Sequence, residues 1–264
     1  MIHMTDRRDI IQLLAGAALS AVEIGRVFAA NPSADKATRI KHLIEQARGV
    51  PDVSQRIDFI SQALLGVRYQ ANTLIGGPKR RERFVVRDDA FDCVTFCEVV
   101  LAAAIARDFD GFEVVLRRIR YNRGIVQYSQ RNHYFAEWGR RNIENRICRP
   151  VAIGPSVTIE KTVSWHRELG KRHVSISAVA KLTLLNGIAL LRPGDIIGFV
   201  SRRPDLDFFH TGVIAFGENG VLLLRHASRR RGRVAEEKMT RFLAVNSVKY
   251  VMLLRAEEPR AEYR

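Results

Sequence analysis

Apolar residues recur at helical spacing in two early segments, Ala37–Gln46 and Val53–Leu65, each with a polar opposite face. Gly49-Val50-Pro51-Asp52 separates them as a turn ending in a capping residue, and Gly66 stops the second. From Tyr69 to Asp89 no period persists, and Gly76-Gly77-Pro78 before Lys79-Arg80-Arg81 predicts a surface loop. Cys93–Arg107 reads as a helix rich enough in alanine and apolar residues to be buried. Phe112–Asn122 sets Val115, Leu116 and Ile119 against Arg117, Arg118 and Arg120, and His133–Arg146 reads as a further helix.

The second half changes character. Val157–Trp165 alternates as a strand, Val174–Leu185 reads as a short helix, and four β-type runs follow at Asp195–Val200, Thr211–Phe216, Val221–His226 and Tyr250–Leu254. Helices first and antiparallel strands second predict an α+β fold. Pro32–Lys36 reads as a polar linker, and beyond it no repeat, low-complexity tract or further linker splits the domain.

Those first residues look like an address. Thr5-Asp6-Arg7-Arg8-Asp9 leads into an apolar run, Ile10–Val22, broken only by Gln12 and Ser20. The run is too short for the roughly 30 Å of bilayer hydrocarbon. With the paired arginines it resembles a twin-arginine export signal over residues 1–30, with cleavage after Ala29 and no stable membrane anchor afterwards. Glu23 and Arg26 sit awkwardly in such a signal; a general secretory signal and an amphipathic helix are the other readings. An exported, periplasmic protein with one domain over residues 31–264 is the expectation.

Composition narrows the partners. The chain has 264 residues, and 43 Lys+Arg against 28 Asp+Glu give +15 at pH 7, which calls for an anionic partner. The basic runs, Lys79-Arg80-Arg81, Arg117-Arg118 and Arg229-Arg230-Arg231, are scattered without aromatic interleaving or a nucleic-acid-binding signature, so no nucleic acid is expected. Three cysteines cannot build a disulfide framework, so the thiols need another explanation.

Cys93 stands at a helix start behind Asp92, where the helix dipole and free N–H groups favour a thiolate and a nearby carboxylate opposes it; taken alone it reads either as a nucleophile or as a small buried core residue. Cys97, one turn later, reads as a core residue, and Cys148 receives no role. His210 and His226 flank Gly217-Glu218-Asn219-Gly220, a hairpin signal. A loop with an odd residue count puts the two imidazoles on one face of the sheet, and a three-residue loop is expected. Cys93 as nucleophile, His210 as its base and His226 as orienter form a cysteine–histidine arrangement, with the Cys93 N–H available to an oxyanion. Paired His/Cys spacing of the zinc type is missing, so neither metal nor cofactor is expected.

These residues resemble a known family. Phe91-Asp92-Cys93-Val94-Thr95-Phe96 with Glu98, Arg120-Tyr121 with Gly124, Arg131-Asn132-His133-Tyr134 with Trp138, Gly194-Asp195-Ile196-Ile197, Asp207, His210-Thr211-Gly212 and His226-Ala227-Ser228 look like the N-acetylmuramoyl-L-alanine amidase-like branch of the NlpC-type, papain-like cysteine amidases and peptidases. The resemblance spans about Leu64 to Arg255. It implies a papain-like fold, a nucleophilic Cys93 with His210 and His226, and hydrolysis of the amide joining N-acetylmuramic acid to L-alanine in peptidoglycan or (anhydro)muropeptides. A stem-peptide endopeptidase and a non-catalytic basic wall-binding protein are the alternatives. Gly66-Val67-Arg68-Tyr69 resembles the family's upstream segment and implies a place for Tyr69 beside the site. Arg131, Asn132 and His133 read either as the wall of a substrate pocket or as a cap for the next helix.

Overall fold

The structure, a computed structural model, describes residues 37–259; the expected export signal at residues 1–30 lies outside the described residues. Helices α1 (Thr38–Ala47) and α2 (Val53–Ala63) form where the periodicity places them. At the start of α2, Asp52 accepts the Gln55 N–H at 3.1 Å, satisfying a donor that has no partner within the helix. The segment expected to be loop, Tyr69 to Asp89, contains a hairpin of β2 (Ile75–Gly77) and β3 (Arg80–Arg83), and short strands border it, β1 (Arg68–Tyr69) at its start and β4 (Ala90–Phe91) just after its end. They escape a periodicity search because two to four residues are too few to show alternation.

Three helices follow: α3 (Cys93–Ile105), α4 (Phe109–Arg120) and α5 (Phe135–Glu144). Every residue of α3 from Thr95 to Ile105 is buried, as expected of a helix apolar on all sides. It is the central helix of the molecule, packed against α2, α4 and the sheet.

Next come β5 (Cys148–Pro150), β6 (Ser156–Val163), β7 (Arg172–Ala180), the short helix α6 (Lys181–Asn186), β8 (Ile196–Val200), β9 (Phe208–Phe216), β10 (Leu222–Ser228), β11 (Arg233–Lys238), α7 (Met239–Val245) and β12 (Tyr250–Ala256). A ten-stranded sheet runs β4-β1-β11-β10-β9-β8-β12-β7-β6, with β5 also on β12; β1 and β4 are parallel and the other pairs antiparallel. The α+β expectation therefore holds. The expected helix at Val174–Leu185 does not: its first half is β7, where buried Val174, Ile176 and Ala178 alternate with exposed His173, Ser175 and Ser177. Period two, not 3.6, was the signal there.

Successive residues of one strand face different layers. Val213 joins the core built with α1 to α5, whereas Ile214 joins a second cluster with Phe199, Leu224, Met239 and Phe242 on the other face. Consecutive positions on β9 thus lead to different environments, which decides how the site is assembled.

Candidate active site

The start of α3 is fixed by Asp92, whose Oδ1 accepts the N–H groups of Val94 at 3.1 Å and Thr95 at 2.8 Å. Thr95 Oγ1 in turn accepts the Asp92 N–H at 3.0 Å. This reciprocal box holds the helix terminus rigid. Cys93 is the first helical residue, and its own N–H is the amide of that turn left unused by the cap. Cys93 as a residue is half-buried, and its thiol, enclosed by protein, meets the backbone N–H groups of Thr211, Cys93 and Val94.

Those amides favour a thiolate, but burial, with the Asp92 carboxylate second, outweighs them and pushes the thiol up to about 12. The expectation of a helix-stabilised thiolate is corrected here: desolvation of a charge exceeds what three amides return. Cys97 is fully buried, with Sγ 3.7 Å from Thr211 Oγ1, and Cys148 is buried in β5.

On β9 and β10 the parity argument works. Beyond the pair Phe216 and Leu222, the Gly217 N–H donates to the Val221 carbonyl at 2.9 Å and encloses Glu218–Gly220, the three-residue loop expected. Asn219 and Gly220 adopt the left-handed conformation that turns it. His210 and His226 share a face, and His210 Nε2 lies 2.5 Å from His226 Nδ1. His210 packs against Phe199 and Phe242, and the ring of His226 meets Phe242 edge-on.

Thr211 turns the opposite way, toward α3, so the thiol rests against the main chain immediately after His210. Among the described residues, no hydrogen bond joins Cys93 to the His210 ring. The Thr211 N–H that meets the thiol belongs to the peptide unit that follows His210. His210 Nδ1 has no protein hydrogen-bond partner among the described residues.

The apolar setting keeps both imidazoles neutral. Burial, with His226 second, lowers His210 to about 3; burial lowers His226 to about 4 against the opposing pull of Glu237. The unfolded chain takes up protons at these histidines near pH 6.5 whereas the folded one does not, so their contribution to stability falls as the pH drops from about 6.5 toward 4 and below. Urea unfolding midpoints should therefore decline across this window, and His226→Gln should flatten the decline. An identical slope in the variant would show that these rings are not the proton-linked groups.

Tyr69 comes to the thiol because β1 pairs with β4 at Tyr69↔Phe91, two residues before Cys93. Burial raises its hydroxyl pKa, as do the nearby Cys93 and Asp92 side chains, while Arg229 opposes them. The other three residues are engaged with the scaffold. Arg131 holds Glu82, with Nε 2.9 Å from Oε1. Asn132 is buried; its amide donates to the Ile119 carbonyl at 2.9 Å and its oxygen accepts from Arg141 at 2.5 Å. His133 Nε2 is 2.7 Å from the Tyr128 carbonyl, in an aromatic cluster with His166. Among the described residues, no hydrogen bond joins any of the three to Cys93.

Sequence reasoning missed Glu237. Strand β11 pairs with β10 at Leu224↔Glu237, two residues from His226 and on the same face. Glu237 Oε1 lies 3.1 Å from His226 Nε2, and Oε2 lies 3.3 Å from Arg230 Nη2. Parity carried from the hairpin to a third strand places Glu237 on the face of His226, although an acidic pair such as Glu236-Glu237 does not by itself mark a buried strand.

The family model described as AmiA-like, N-acetylmuramoyl-L-alanine amidase-like, matches residues 59–248. A crystal structure of an N-acetylmuramoyl-L-alanine amidase from Bacteroides uniformis is 25% identical and superposes with a TM-score of 0.69, covering 78% of this chain and 99% of that one. A Legionella pneumophila protein from a family of unknown function is 20% identical, with a TM-score of 0.73 over 84% of this chain and 95% of that one, and so shares the fold. A Bacteroides fragilis protein provisionally named a xylanase is 25% identical, with a TM-score of 0.66 over 74% of this chain and 98% of that one. No curated protein matches the chain.

Proposed function

Because the chain belongs to the N-acetylmuramoyl-L-alanine amidase-like family, we propose that it is a cysteine-dependent amidase cutting the bond between N-acetylmuramic acid and L-alanine in peptidoglycan or its (anhydro)muropeptide fragments. The observation that carries this reading is Cys93, at a capped helix start, with its thiol against the Thr211 N–H that directly follows His210 of the hydrogen-bonded pair His210–His226. The same arrangement supports an NlpC-type, papain-like classification.

The chemistry follows from the resting protonation states. With thiol and imidazole both neutral, His210 acts as a general base during attack rather than within a preformed ion pair. The Cys93 S–H bond breaks as sulfur bonds to the lactyl carbonyl carbon, and the proton passes to His210 Nδ1. Negative charge collects on the carbonyl oxygen, for which the Cys93 N–H is the available donor. The C–N bond then breaks, the proton goes to the departing amine of L-alanine, and a thioester remains on Cys93. Water, giving its proton to His210, hydrolyses the thioester and restores the thiol. Catalytic hydrogen bonds often tighten only when substrate arrives, so substrate binding must draw the thiol and His210 Nδ1 together.

Basic residues at the mouth suit an acidic substrate. Arg229, Arg230 and Arg231 form the exposed turn between β10 and β11, next to Tyr69. Peptidoglycan stems bear free carboxylates, and such charges speed encounter more than they add affinity. Export to the periplasm fits this substrate and the signal-like residues 1–30. A xylanase would need two carboxyl groups flanking a sugar bond, whereas Asp92 caps α3 and Glu237 is engaged by His226 and Arg230.

The covalent intermediate tests this reading. Acid-quenched wild type mixed with muropeptide should gain the mass of the muramoyl acyl group, and peptide mapping should place it on Cys93. Turnover without any adduct, undiminished by Cys93→Ala, would rule the mechanism out.

A further inference from the structure

We propose that Glu237 is a positioning residue of this site: its carboxylate orders the protons along His226 and His210, leaving Nδ1 of His210 as the free base. The inference rests on the cysteine-amidase reading above and adds a carboxylate to it.

His226 Nε2 is buried and finds no well-aligned hydrogen-bond partner, but lies 3.1 Å from Glu237 Oε1. A lone pair there would face a carboxylate and repel it, so Nε2 carries the proton. In a neutral imidazole, Nδ1 of His226 is then the acceptor. It lies 2.5 Å from His210 Nε2, which must be the donor. His210 is thereby left with its lone pair on Nδ1, the atom without a protein partner. One carboxylate thus sets both tautomers, as a partner on the far nitrogen commonly does.

Glu237 is itself held. Its side chain is 4% exposed, and the main chain around it is locked by the β10–β11 ladder from Leu223↔Lys238 to Ser228↔Arg233. When His210 takes the thiol proton, positive charge appears in an otherwise apolar pocket of Phe199 and Phe242. Glu237 supplies the compensating negative charge through His226. The charged and titratable groups facing the pair are Glu237 from β11 and Arg230 and Arg231 from the preceding turn; β8 and α7 contribute Phe199 and Phe242.

The test uses Glu237→Gln, Glu237→Leu and Glu237→Asp in the full chain. Glu237→Gln keeps an acceptor but removes the charge, so kcat should fall about 10- to 100-fold with KM little changed. The acidic limb of the kcat/KM profile should move to lower pH, because the neighbouring negative charge no longer favours the imidazolium. Glu237→Asp should recover part of the loss. Nitrogen-15 NMR of the histidine rings provides a readout free of activity: both rings should be Nε2–H in wild type, and His226 should gain Nδ1–H population in Glu237→Leu. If Glu237→Leu does not fold, the pH profile and ring shifts of Glu237→Gln decide. Unchanged kcat, pH profile and ring shifts in an active, Cys93-dependent enzyme would overturn this inference alone. A wild type whose activity survives Cys93→Ala would instead overturn the reading beneath it.

Discussion

Cys93→Ala should lower kcat/KM for a muropeptide by roughly 10⁴-fold or more, the scale seen when a nucleophile acting in concert with its base is removed. The fold should survive, because Cys93 sits at the helix edge with some solvent contact, and the cap beneath it is built from Asp92 and Thr95. Far-ultraviolet circular dichroism and the thermal midpoint should match wild type. This pairing of lost rate with retained fold separates a nucleophile from a core thiol: Cys97, fully buried against Thr211, would show its effect in stability. Cys93→Ser should be nearly as impaired, since a hydroxyl in the same apolar setting is a far poorer nucleophile with a neutral histidine as base. Retention of more than about a tenth of wild-type kcat/KM in Cys93→Ala would contradict the assignment.

Glu98→Ala should have the largest effect on stability. Glu98 on α3 and Arg120 at the end of α4 form an ion pair at 2.7 Å, with both side chains 2% exposed. Burial raises the Glu98 pKa despite the opposing pull of Arg120, a sign of how costly this charge is to desolvate. Deleting the carboxylate would leave a buried guanidinium with the Val85 carbonyl, at 2.6 Å, as its remaining strong acceptor. Stranding a buried charge in this way costs about 3–5 kcal/mol, or on the order of 10 °C in a domain of this size. The pair clamps α3, the helix that presents Cys93, against α4. Chemical denaturation at pH 7 measures the loss directly. A change below about 1 kcal/mol would mean that the pair is dispensable to the clamp.

The legibility of the chain divides along physical lines. Long periodic elements were readable: α1, α2 and α3 lie within a few residues of their sequence-based bounds, because sustained apolar spacing reports a buried face. The shared face of His210 and His226 was also readable, since it needed only the parity of one hairpin loop. Strand β7 was not, because a short apolar segment with interspersed serines can be placed on either period. Nor was the thiol's protonation state: the helix start was visible in sequence, but the desolvation that outweighs it belongs to tertiary packing.

The family-like motif proves to contain two kinds of residue. Glu98 with Arg120, Asp195 with Arg255, and Asp207 with the Ala136 N–H are buried scaffold contacts, at 2.7, 2.7 and 2.8 Å. Gly194 belongs with them, because at φ +88° a Cβ would stand 2.5 Å from the Ser54 carbonyl oxygen. His210 and His226 meet each other, and the Cys93 thiol rests against the Thr211 N–H next in the chain to His210. A motif string alone does not distinguish these classes, since buried polar pairs and reacting groups use the same side chains. Arg131, Asn132 and His133 illustrate this: their polar atoms mainly hold Glu82, main-chain carbonyls and neighbouring loops.

A digest of purified muropeptide, followed by mass spectrometry with wild type and Cys93→Ala side by side, tests the central claim most directly. The account predicts that wild type releases an intact peptide beginning with a free L-alanine amine and a muramoyl sugar with a free lactyl carboxylate, and that Cys93→Ala releases neither. A sugar still carrying L-alanine and D-glutamate, or equal product from both proteins, would contradict it.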